Sequence, residues 1–475
     1  MPTEIKFGTD GWRGVIADDY TFENVRRVAN AIATYVHKHE DATKGLVIGY
    51  DTRFGSRRFA ETTAEVIAAT GINVHLADDY TPTPAVSYAV KNMGVAGGVM
   101  ITSSHNPASW NGVKYKASYG GSGTPQIMRM IEGYLDQPEI KGKPGEITAT
   151  DFKKPYVEAL KKFVDVPAIA KANFKFVIDP MYGAGRGVLA GIFSGHGIRF
   201  VEMRSEANPL FPGINPEPIM PHVSETQRVV VEEKAHAGLI TDGDADRIGA
   251  VAEDGSFVDA HKCYAVMLEW LLKRRDWPGA VTRAFNTTRM LDRIAKKYNR
   301  ELIEHGIGFK YVCDVVLSGK EVLIGGEESG GIGIPRHLPE RDGILNSLIL
   351  AAIMADEGKS LGQLVNDLQR EYGPHHYGRR DMRLTDEVKL SALRRAGAGP
   401  KEIGQFRVNK MEDLDGYKFF VDAPTKGNGA DAWVLVRGSG TEPLLRVYCE
   451  AASPELVKSI LDDAEAFVYA KTTTA

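Results

Sequence analysis

The sequence predicts an α/β protein built from several domains. Amphipathic helical patterns alternate with short apolar strands along the chain, which is the order that layered α/β domains require. The length of 475 residues exceeds what one ordinary core organises, since a domain usually holds about 100–200 residues. A hydrophobic content of 43% supplies enough apolar side chains for several cores.

The first elements of the chain show this alternation. Residues 21–39, TFENVRRVANAIATYVHKH, repeat apolar side chains at helical spacing, and 45–51, GLVIGYD, form the short apolar run of a buried strand. A second helical pattern covers 57–70 and is ended by Gly71, and NVHLADD at 73–79 predicts the next strand. These four elements predict a β-α-β order.

Three stretches break the alternation and divide the chain. Residues 136–154 are rich in Pro, Gly and Lys, 252–257 predict a turn between a strand and a helix, and 370–381 precede a more strand-like tail. Four domains are therefore expected, and their predicted bounds are 1–150, 151–255, 256–372 and 373–475.

Composition limits the classes of partner. The net charge is −4, from 58 basic and 62 acidic side chains, whereas nucleic-acid binders usually carry a basic excess. No apolar export segment follows Met1, and the apolar run at 343–355 is too short to span a membrane. The cysteines Cys263, Cys313 and Cys449 lie too far apart for a zinc cluster or a disulfide framework. A cytoplasmic protein with no nucleic-acid or membrane partner is expected.

The strongest candidate for chemistry is AGLITDGDADRIGAVAED at 237–254. Asp242, Asp244 and Asp246 follow an apolar strand at alternate positions, and each pair of like charges 4 Å apart costs roughly 4 kcal/mol at an effective dielectric near 20. A divalent cation removes this repulsion, and carboxylate oxygens select Mg²⁺ or Ca²⁺. The alternative is an acidic turn that is simply solvated.

Two familiar sites resemble parts of the chain and are disfavoured. Glu253 is the twelfth residue counted from Asp242, as in an EF-hand, but Arg247 stands where that loop needs Gly, and a strand follows. The glycines at 183–187 are spaced GxGxG, whereas the dinucleotide fingerprint is GxGxxG, and Pro180 interrupts the turn.

Other loops carry phosphate-binding chemistry with less specificity. MITSSHNPASWNGVKY at 100–115 places Ser104 in a polar turn, as a nucleophile or phosphate carrier or as plain turn chemistry. RGSGTEP at 437–443 combines glycines with Arg, Ser and Thr between two strands, which favours phosphate binding over a bare hairpin turn. GEESGG at 326–331, GTDGWRG at 8–14 and GFKY at 308–311 allow either a ligand-binding or a structural interpretation.

The motifs GTDGWRG, TSSHNP, DGDADR, GEESGG and RGSGTEP, in this order, resemble those of the α-D-phosphohexomutases over essentially the whole chain. This resemblance implies three related α/β domains with mixed sheets and a smaller C-terminal α+β domain, arranged around a central cleft. It also implies an isomerase that interconverts hexose 1-phosphate and hexose 6-phosphate through a phosphoserine and a hexose 1,6-bisphosphate, which also serves as activator.

The resemblance implies roles for individual residues as well. Ser104 resembles the phosphorylated serine, with His105 and Asn106 beside its phosphate, and Arg247 closes the metal motif near the transferring group. One Mg²⁺ per chain would be held by the phosphoserine and by Asp242, Asp244 and Asp246. The remaining residues are the proton-transfer candidates Arg13 and Lys114, the sugar-reading Glu327 and Ser329, the ligand-binding Lys310, and the distal phosphate-binding Arg437, Ser439, Gly440 and Thr441.

Electrostatics supports this assignment. Phosphoserine carries about −1.5 to −2 charges at pH 7, which is unfavourable beside three aspartates unless a cation lies between them. A general base is also needed, and Lys114 or Arg13 would serve only with a pKa lowered by neighbouring cations.

The hexose is the open point of the resemblance. The GEESGG motif favours glucose phosphates, with phosphomannomutase or phosphoglucosamine mutase as the alternatives. Gly331 stands where mannose- and glucosamine-handling relatives tend to have His, whereas GTDGWRG resembles the glucosamine branch. More remote alternatives are a phosphatase that passes through phosphoserine and a non-catalytic sugar-phosphate sensor. The expected partners are small sugar phosphates, and the expected assembly is a monomer or a homodimer.

Overall fold

The computed structural model describes residues 4–8, 10–424, 429, 431–438 and 444–470. It divides into two compact units. The first comprises residues 1–280 with 308–364, and the second comprises 281–307 with 365–475. Each unit is described by itself below.

The first unit begins with a six-stranded mixed sheet. Its strands lie in the order β1-β5-β4-β2-β3-β6, where β2, β3, β4 and β6 are parallel and β5 is antiparallel to both of its neighbours. The elements are β1 Gly11–Val15, α1 Phe22–His39, a 3₁₀ turn Ala42–Lys44, β2 Leu46–Tyr50, α2 Ser56–Ala69, β3 Val74–Ala77, α3 Thr83–Met93, β4 Gly97–Ile101, β5 Trp110–Ala117, α4 Pro125–Gly133 and β6 Ile147–Thr150.

The four elements predicted at the start of the chain are confirmed as α1, β2, α2 and β3. The Thr21 side chain accepts a hydrogen bond from the backbone N–H of Asn24, so it caps the first helix. The helix α2 ends at Ala69, because Gly71 adopts a left-handed φ of 98° that favours glycine.

A second sheet of five strands follows, in the order β11-β10-β9-β7-β8. Its strands β7, β8 and β9 are parallel, and β10 is antiparallel to β9. The short β9–β10 connection therefore carries the DGDADR motif at the carboxyl end of a buried strand. The elements are α5 Lys153–Phe163, α6 Val166–Lys171, β7 Lys175–Asp179, α7 Val188–Ser194, β8 Arg199–Glu202, α8 Ser224–Glu232, β9 Ala237–Thr241, β10 Ile248–Ala252 and β11 Phe257–Val258.

The next segment is shared between the two units. The strands β14 and β15 form an antiparallel pair in the first unit, and β12 and β13 form a parallel pair. The elements are α9 Ala260–Trp270, a π turn Leu271–Arg275, β12 Ala280–Ala284, α10 Met290–Lys297, β13 Leu302–His305, α11 Lys310–Leu317, β14 Val322–Gly326, β15 Ile332–Gly333 and α12 Gly343–Glu357.

An antiparallel sheet organises the end of the chain, in the order β16-β21-β20-β19-β18-β17. The strands β20 and β21 flank the RGSGTEP motif, as predicted. Within the described residues, no helix is both long and apolar enough to cross a membrane. The elements are α13 Leu361–Tyr372, β16 His376–Arg383, α14 Asp386–Gly397, β17 Glu402–Ile403, β18 Phe406–Glu412, β19 Tyr417–Val421, β20 Trp433–Gly438, β21 Leu444–Ala451 and α15 Pro454–Tyr469.

Candidate active site

Three fully buried aspartates form the centre of the candidate site. Asp242, Asp244 and Asp246 lie on the β9–β10 loop, and one carboxylate oxygen from each falls within 4.8 Å of the others. Gly243 allows this loop to approach the chain at Ser104, because a Cβ on Gly243 would lie only 2.5 Å from the Ser104 carbonyl oxygen.

Ser104 lies directly against these aspartates. It follows β4, is 1% exposed, and adopts a left-handed φ of 52° that is uncommon for a serine. Its hydroxyl donates to Asp242 Oδ2 over 2.8 Å, and His105 Nδ1 lies 3.3 Å from the same hydroxyl oxygen. The structure therefore brings together the predicted phosphoserine position and the predicted metal loop.

A buried arginine holds the Ser104 loop in this position. The Arg53 guanidinium donates to four backbone carbonyl oxygens, those of Ser104, Asn106, Pro107 and Trp110, at 2.6 to 3.1 Å. A single planar group thus fixes the whole turn.

A second set of contacts fixes the start of the same loop. The Thr102 hydroxyl donates to Asp51 Oδ2 over 2.6 Å and accepts from the backbone N–H of Ser104 over 2.9 Å. Asp51 also pairs with Arg53 Nε at 3.3 Å, so the two sets of contacts share one ion pair.

Cations and a hydroxyl group also contact the aspartates. Lys114 Nζ donates to Asp244 Oδ2 at 2.7 Å and to Asp246 Oδ2 at 3.1 Å. The Thr83 hydroxyl donates to Asp244 Oδ2 at 2.6 Å, and Arg341 Nη2 lies 2.8 Å from Asp246 Oδ2. The Arg247 backbone N–H donates to Asp242 Oδ1 at 3.1 Å.

These contacts give the carboxylates different pKa values. Burial, together with the neighbouring Asp244 and Asp246, raises the pKa of Asp242 well above its usual value. Burial also acts to raise the pKa of Asp244, but Lys114 and the Thr83 hydroxyl outweigh it, and the pKa of Asp244 is lowered. Of these two carboxylates, Asp242 is thus the one whose negative charge is less compensated.

The residues present fit a divalent cation. Oδ1 of Asp244 and Oδ1 of Asp246 are buried and have no hydrogen-bond partner among the described residues, which is unfavourable for a carboxylate oxygen. A cation among the three aspartates would satisfy both atoms and would offset the charge that raises the pKa of Asp242.

Lys114 behaves differently from what a general base requires. Burial alone would lower its pKa, but Asp244, Asp246 and Asp10 outweigh that effect and raise it. Arg13, the other candidate, donates to Asn106 Oδ1 at 3.2 Å and to Asp10 Oδ1 at 3.4 Å. The lowered pKa that Lys114 would need to act as a general base is therefore not found in this arrangement.

The GEESGG segment connects β14 to β15 in the same unit. Burial raises the pKa of Glu327 to about 7, and Arg341 Nη1 lies 3.5 Å from Glu327 Oε2. Ser329 is half-buried on this segment. Lys310, half-buried at the start of α11, places its Nζ 5.1 Å from the centre of the Tyr311 ring.

Arg437, the first residue of the predicted distal phosphate loop, belongs to the second unit. Arg437 lies near the end of β20, and its Nε donates to Asp415 Oδ1 at 2.8 Å. Ser439, Gly440 and Thr441 lie outside the described residues.

Sequence reasoning missed four buried residues of the site, namely Asp10, Arg53, Thr83 and Arg341. Asp10 pairs with Lys114 at 3.5 Å and with Arg341 at 3.3 Å. Asp10 belongs to the GTDGWRG motif, so its presence there was the available signal. Nothing in the local sequence marks the other three, because their contacts join distant parts of the chain.

Comparison with known families covers nearly the whole chain. The phosphoglucomutase/phosphomannomutase alpha/beta/alpha domain I matches residues 4–140, domain II matches 154–255, domain III matches 259–372, and the C-terminal domain matches 388–466. These matches confirm the predicted fold class of three α/β domains followed by a smaller C-terminal domain. The predicted domain boundaries stay a prediction.

The matches to individual relatives cover almost the full length of both chains. A phosphoglucomutase/phosphomannomutase from Thermococcus kodakarensis is 29% identical over 460 residues, 96% of each chain. A phosphoglucosamine mutase from Carboxydothermus hydrogenoformans is 31% identical over 476 residues, 96% of this chain and 97% of the relative. A crystal structure from Thermus thermophilus, provisionally named a phosphomannomutase, is 34% identical, covers 99% of this chain and 100% of its own, and superposes with a TM-score of 0.86.

Proposed function

Because the chain belongs to the phosphoglucomutase/phosphomannomutase family, we propose that this phosphohexomutase interconverts glucose 1-phosphate and glucose 6-phosphate through a phosphoserine at Ser104 and glucose 1,6-bisphosphate. The single observation that carries the proposal is the 2.8 Å hydrogen bond between the Ser104 hydroxyl and Asp242. A buried serine that contacts one of three clustered aspartates is well placed to accept and release a phosphoryl group.

The proposed metal ligands are Asp242, Asp244 and Asp246, with one Mg²⁺ per chain. When bound, the cation would offset the negative charge of the phosphoserine and polarise the phosphoryl group. The protein itself supplies the orientation: Arg53 fixes the Ser104 loop through backbone carbonyl oxygens, and Thr83 fixes Asp244.

The transfer proceeds in two steps on this proposal. The substrate hydroxyl attacks the phosphorus of phosphoserine, its proton passes to a base, and the Ser104 oxygen leaves with the bond electrons. The Ser104 oxygen takes up a proton to become a hydroxyl, and the resulting bisphosphate turns around. The Ser104 hydroxyl then loses its proton and attacks the phosphorus of the other phosphate, and the sugar oxygen leaves with the bond electrons and is protonated. His105 lies beside the Ser104 oxygen, and Arg247 lies beside the aspartates. The predicted proton acceptors are Lys114 and Arg13, and the raised pKa of Lys114 disfavours Lys114 in that role.

Recognition of the sugar and its distal phosphate is proposed for residues of several loops. Glu327 would accept hydrogen bonds from sugar hydroxyl groups, and Ser329 would donate hydrogen bonds to them. Lys310 would contact the ligand. Arg437, Ser439, Gly440 and Thr441 would hold the phosphate that is not being transferred. The bisphosphate would serve as both intermediate and activator, in a cytoplasmic monomer or homodimer.

The preference for glucose rests on the GEESGG segment. Gly331 leaves no side chain at the position where relatives that handle mannose or glucosamine tend to have His. A relative named phosphoglucosamine mutase is 31% identical, so mannose and glucosamine phosphates are the first alternatives to test.

A coupled assay with glucose, mannose and glucosamine 1-phosphates, Mg²⁺ and a trace of the matching bisphosphate tests this function. The proposal predicts the 6-phosphate as product and the highest kcat/KM for glucose. Inorganic phosphate in place of the 6-phosphate would identify a phosphatase. Tight binding of the sugar phosphates with no turnover would identify a sensor, and both outcomes would contradict the proposal.

A further inference from the structure

Arg341 is a buried arginine that none of the five motifs contains. It lies on the loop between β15 and α12 and is 7% exposed. The neighbouring backbone is tied to the metal loop and to the strand that follows the GEESGG segment: the Gly343 N–H donates to the carbonyl oxygen of Ala245 on the metal loop, and the Asp342 N–H donates to that of Ile332 on β15. The backbone at Arg341 is therefore fixed against the metal loop and β15.

Its guanidinium uses different nitrogens for the two loops. Nη2 lies 2.8 Å from Asp246 Oδ2 on the metal loop and 3.3 Å from Asp10 Oδ2. Nη1 lies 3.5 Å from Glu327 Oε2 on the GEESGG segment. One planar group thus contacts both a proposed metal ligand and a proposed sugar-binding carboxylate. The single ammonium group of a lysine could not contact the two carboxylates through separate nitrogen atoms.

Gly331 makes room for this side chain. A Cβ on Gly331 would lie 2.3 Å from Arg341 Cδ and 3.3 Å from Glu327 Oε2. Because Cδ is in the middle of the side chain, a methyl group at Gly331 would force the whole guanidinium to move. Gly331 does not have a left-handed φ, so alanine there adds the methyl group without backbone strain.

We propose that Arg341 is a positioning residue for sugar recognition, which rests on the function proposed above. The guanidinium group of Arg341 holds the Glu327 carboxylate at a fixed distance from the metal loop. A sugar whose hydroxyl groups bind Glu327 is therefore oriented correctly toward Ser104. Gly331 and Arg341 form a matched pair, because the absence of a side chain at Gly331 leaves the space that the Arg341 side chain occupies.

The test compares Arg341→Lys and Gly331→Ala with two matched controls. Arg336→Lys changes an arginine of the same loop whose side chain is 46% exposed. Gly133→Ala adds a methyl group at a helix end where no heavy atom of the described residues lies within 4 Å. Arg341→Lys and Gly331→Ala should each raise the dissociation constant of glucose 6-phosphate, measured by calorimetry, by about tenfold. Both controls should bind like the wild-type protein.

A double-mutant cycle separates positioning from general damage. If Arg341 acts through Glu327, the combined Arg341→Lys and Glu327→Gln variant should lose much less binding than the product of the two single effects. Effects that simply multiply, or a dissociation constant unchanged in Arg341→Lys, would overturn this inference. Wild-type protein without mutase activity in the coupled assay would instead overturn the proposed function, and this inference with it.

Discussion

The Ser104 hydroxyl and the Asp242 carboxylate form a direct hydrogen bond of 2.8 Å although 138 residues separate them. The contact joins the loops that follow β4 and β9, which belong to two different sheets of the first unit. A phosphoryl group on Ser104 would add about −1.5 to −2 charges beside three buried carboxylates, so the arrangement depends on a compensating cation.

Removal of the cation should therefore abolish activity. Chelation with EDTA is expected to stop turnover, and added Mg²⁺ is expected to restore it. Asp244→Asn should weaken Mg²⁺ binding, measured by calorimetry, by at least about tenfold, because one of three charges is lost. Asp254→Asn is the control, since Asp254 is exposed on a neighbouring turn. Equal Mg²⁺ affinity in the two variants would contradict the metal assignment.

Lys114 should stabilise the metal-free protein more than the metal-bound protein. Its ammonium group pairs with Asp244 and Asp246, and loss of one partner of a buried ion pair costs about 3–5 kcal/mol. Lys114→Met is expected to lower the melting temperature by roughly 5–10 °C in EDTA, and Mg²⁺ should recover most of the loss.

The control for Lys114 is Lys161→Met on the surface of α5. Lys161 pairs with a half-exposed Glu158, and such a pair contributes little. An equal loss of stability in Lys114→Met with and without Mg²⁺ would show that Lys114 does not balance the aspartates.

Arg53 should act on catalysis through the position of Ser104. Arg53→Lys keeps the charge but cannot donate to all four carbonyl oxygens, so the loop should shift. We expect kcat to fall roughly 10- to 100-fold. Arg58→Lys, at a side chain 76% exposed on α2, should keep the wild-type kcat. Wild-type kcat in Arg53→Lys would argue against this role.

Glu327 should make stability depend on pH between about 4.5 and 7. Burial raises its pKa from 4.5 to about 7, so in this window the folded protein holds a proton that the unfolded chain has released. Stability contributed by this group therefore falls as the pH rises through the window.

Glu327→Gln removes this titration. The melting temperature of the variant minus that of the wild-type protein should be larger at pH 8 than at pH 5. Loss of the Arg341 contact does not change that sign, because the pKa of about 7 already includes the opposing effect of Arg341. Glu65→Gln, at an exposed helical position, should show no such trend. A difference that shrinks toward pH 8 would contradict the raised pKa.

Local sequence patterns were sufficient to predict the first helices and strands and the cluster of three aspartates. The alternation of helices and strands predicted α1, β2, α2 and β3, and the spacing of Asp242, Asp244 and Asp246 predicted a cluster of carboxylates. Both follow from neighbours in sequence, since a short loop after a strand keeps its residues close together.

The residues that complete the site could not be predicted in this way. Thr83 contacts Asp244 across 161 residues, and Arg341 contacts Asp10 across 331, so no window of the sequence holds both partners. Lys114 shows the same limit. Its motif suggested a base, whereas its raised pKa follows from carboxylates on another loop.

Ser104 is expected to carry the transferred phosphoryl group, and mass spectrometry can detect this phosphate. Protein incubated with glucose 1,6-bisphosphate and Mg²⁺ should gain one phosphate on the peptide that contains Ser104, and glucose 1-phosphate should then remove it. Ser104→Ala should gain none and should lose at least about 10³-fold in kcat. Full mutase activity in Ser104→Ala, or phosphate on a different residue, would rule out Ser104 as the carrier of the phosphoryl group.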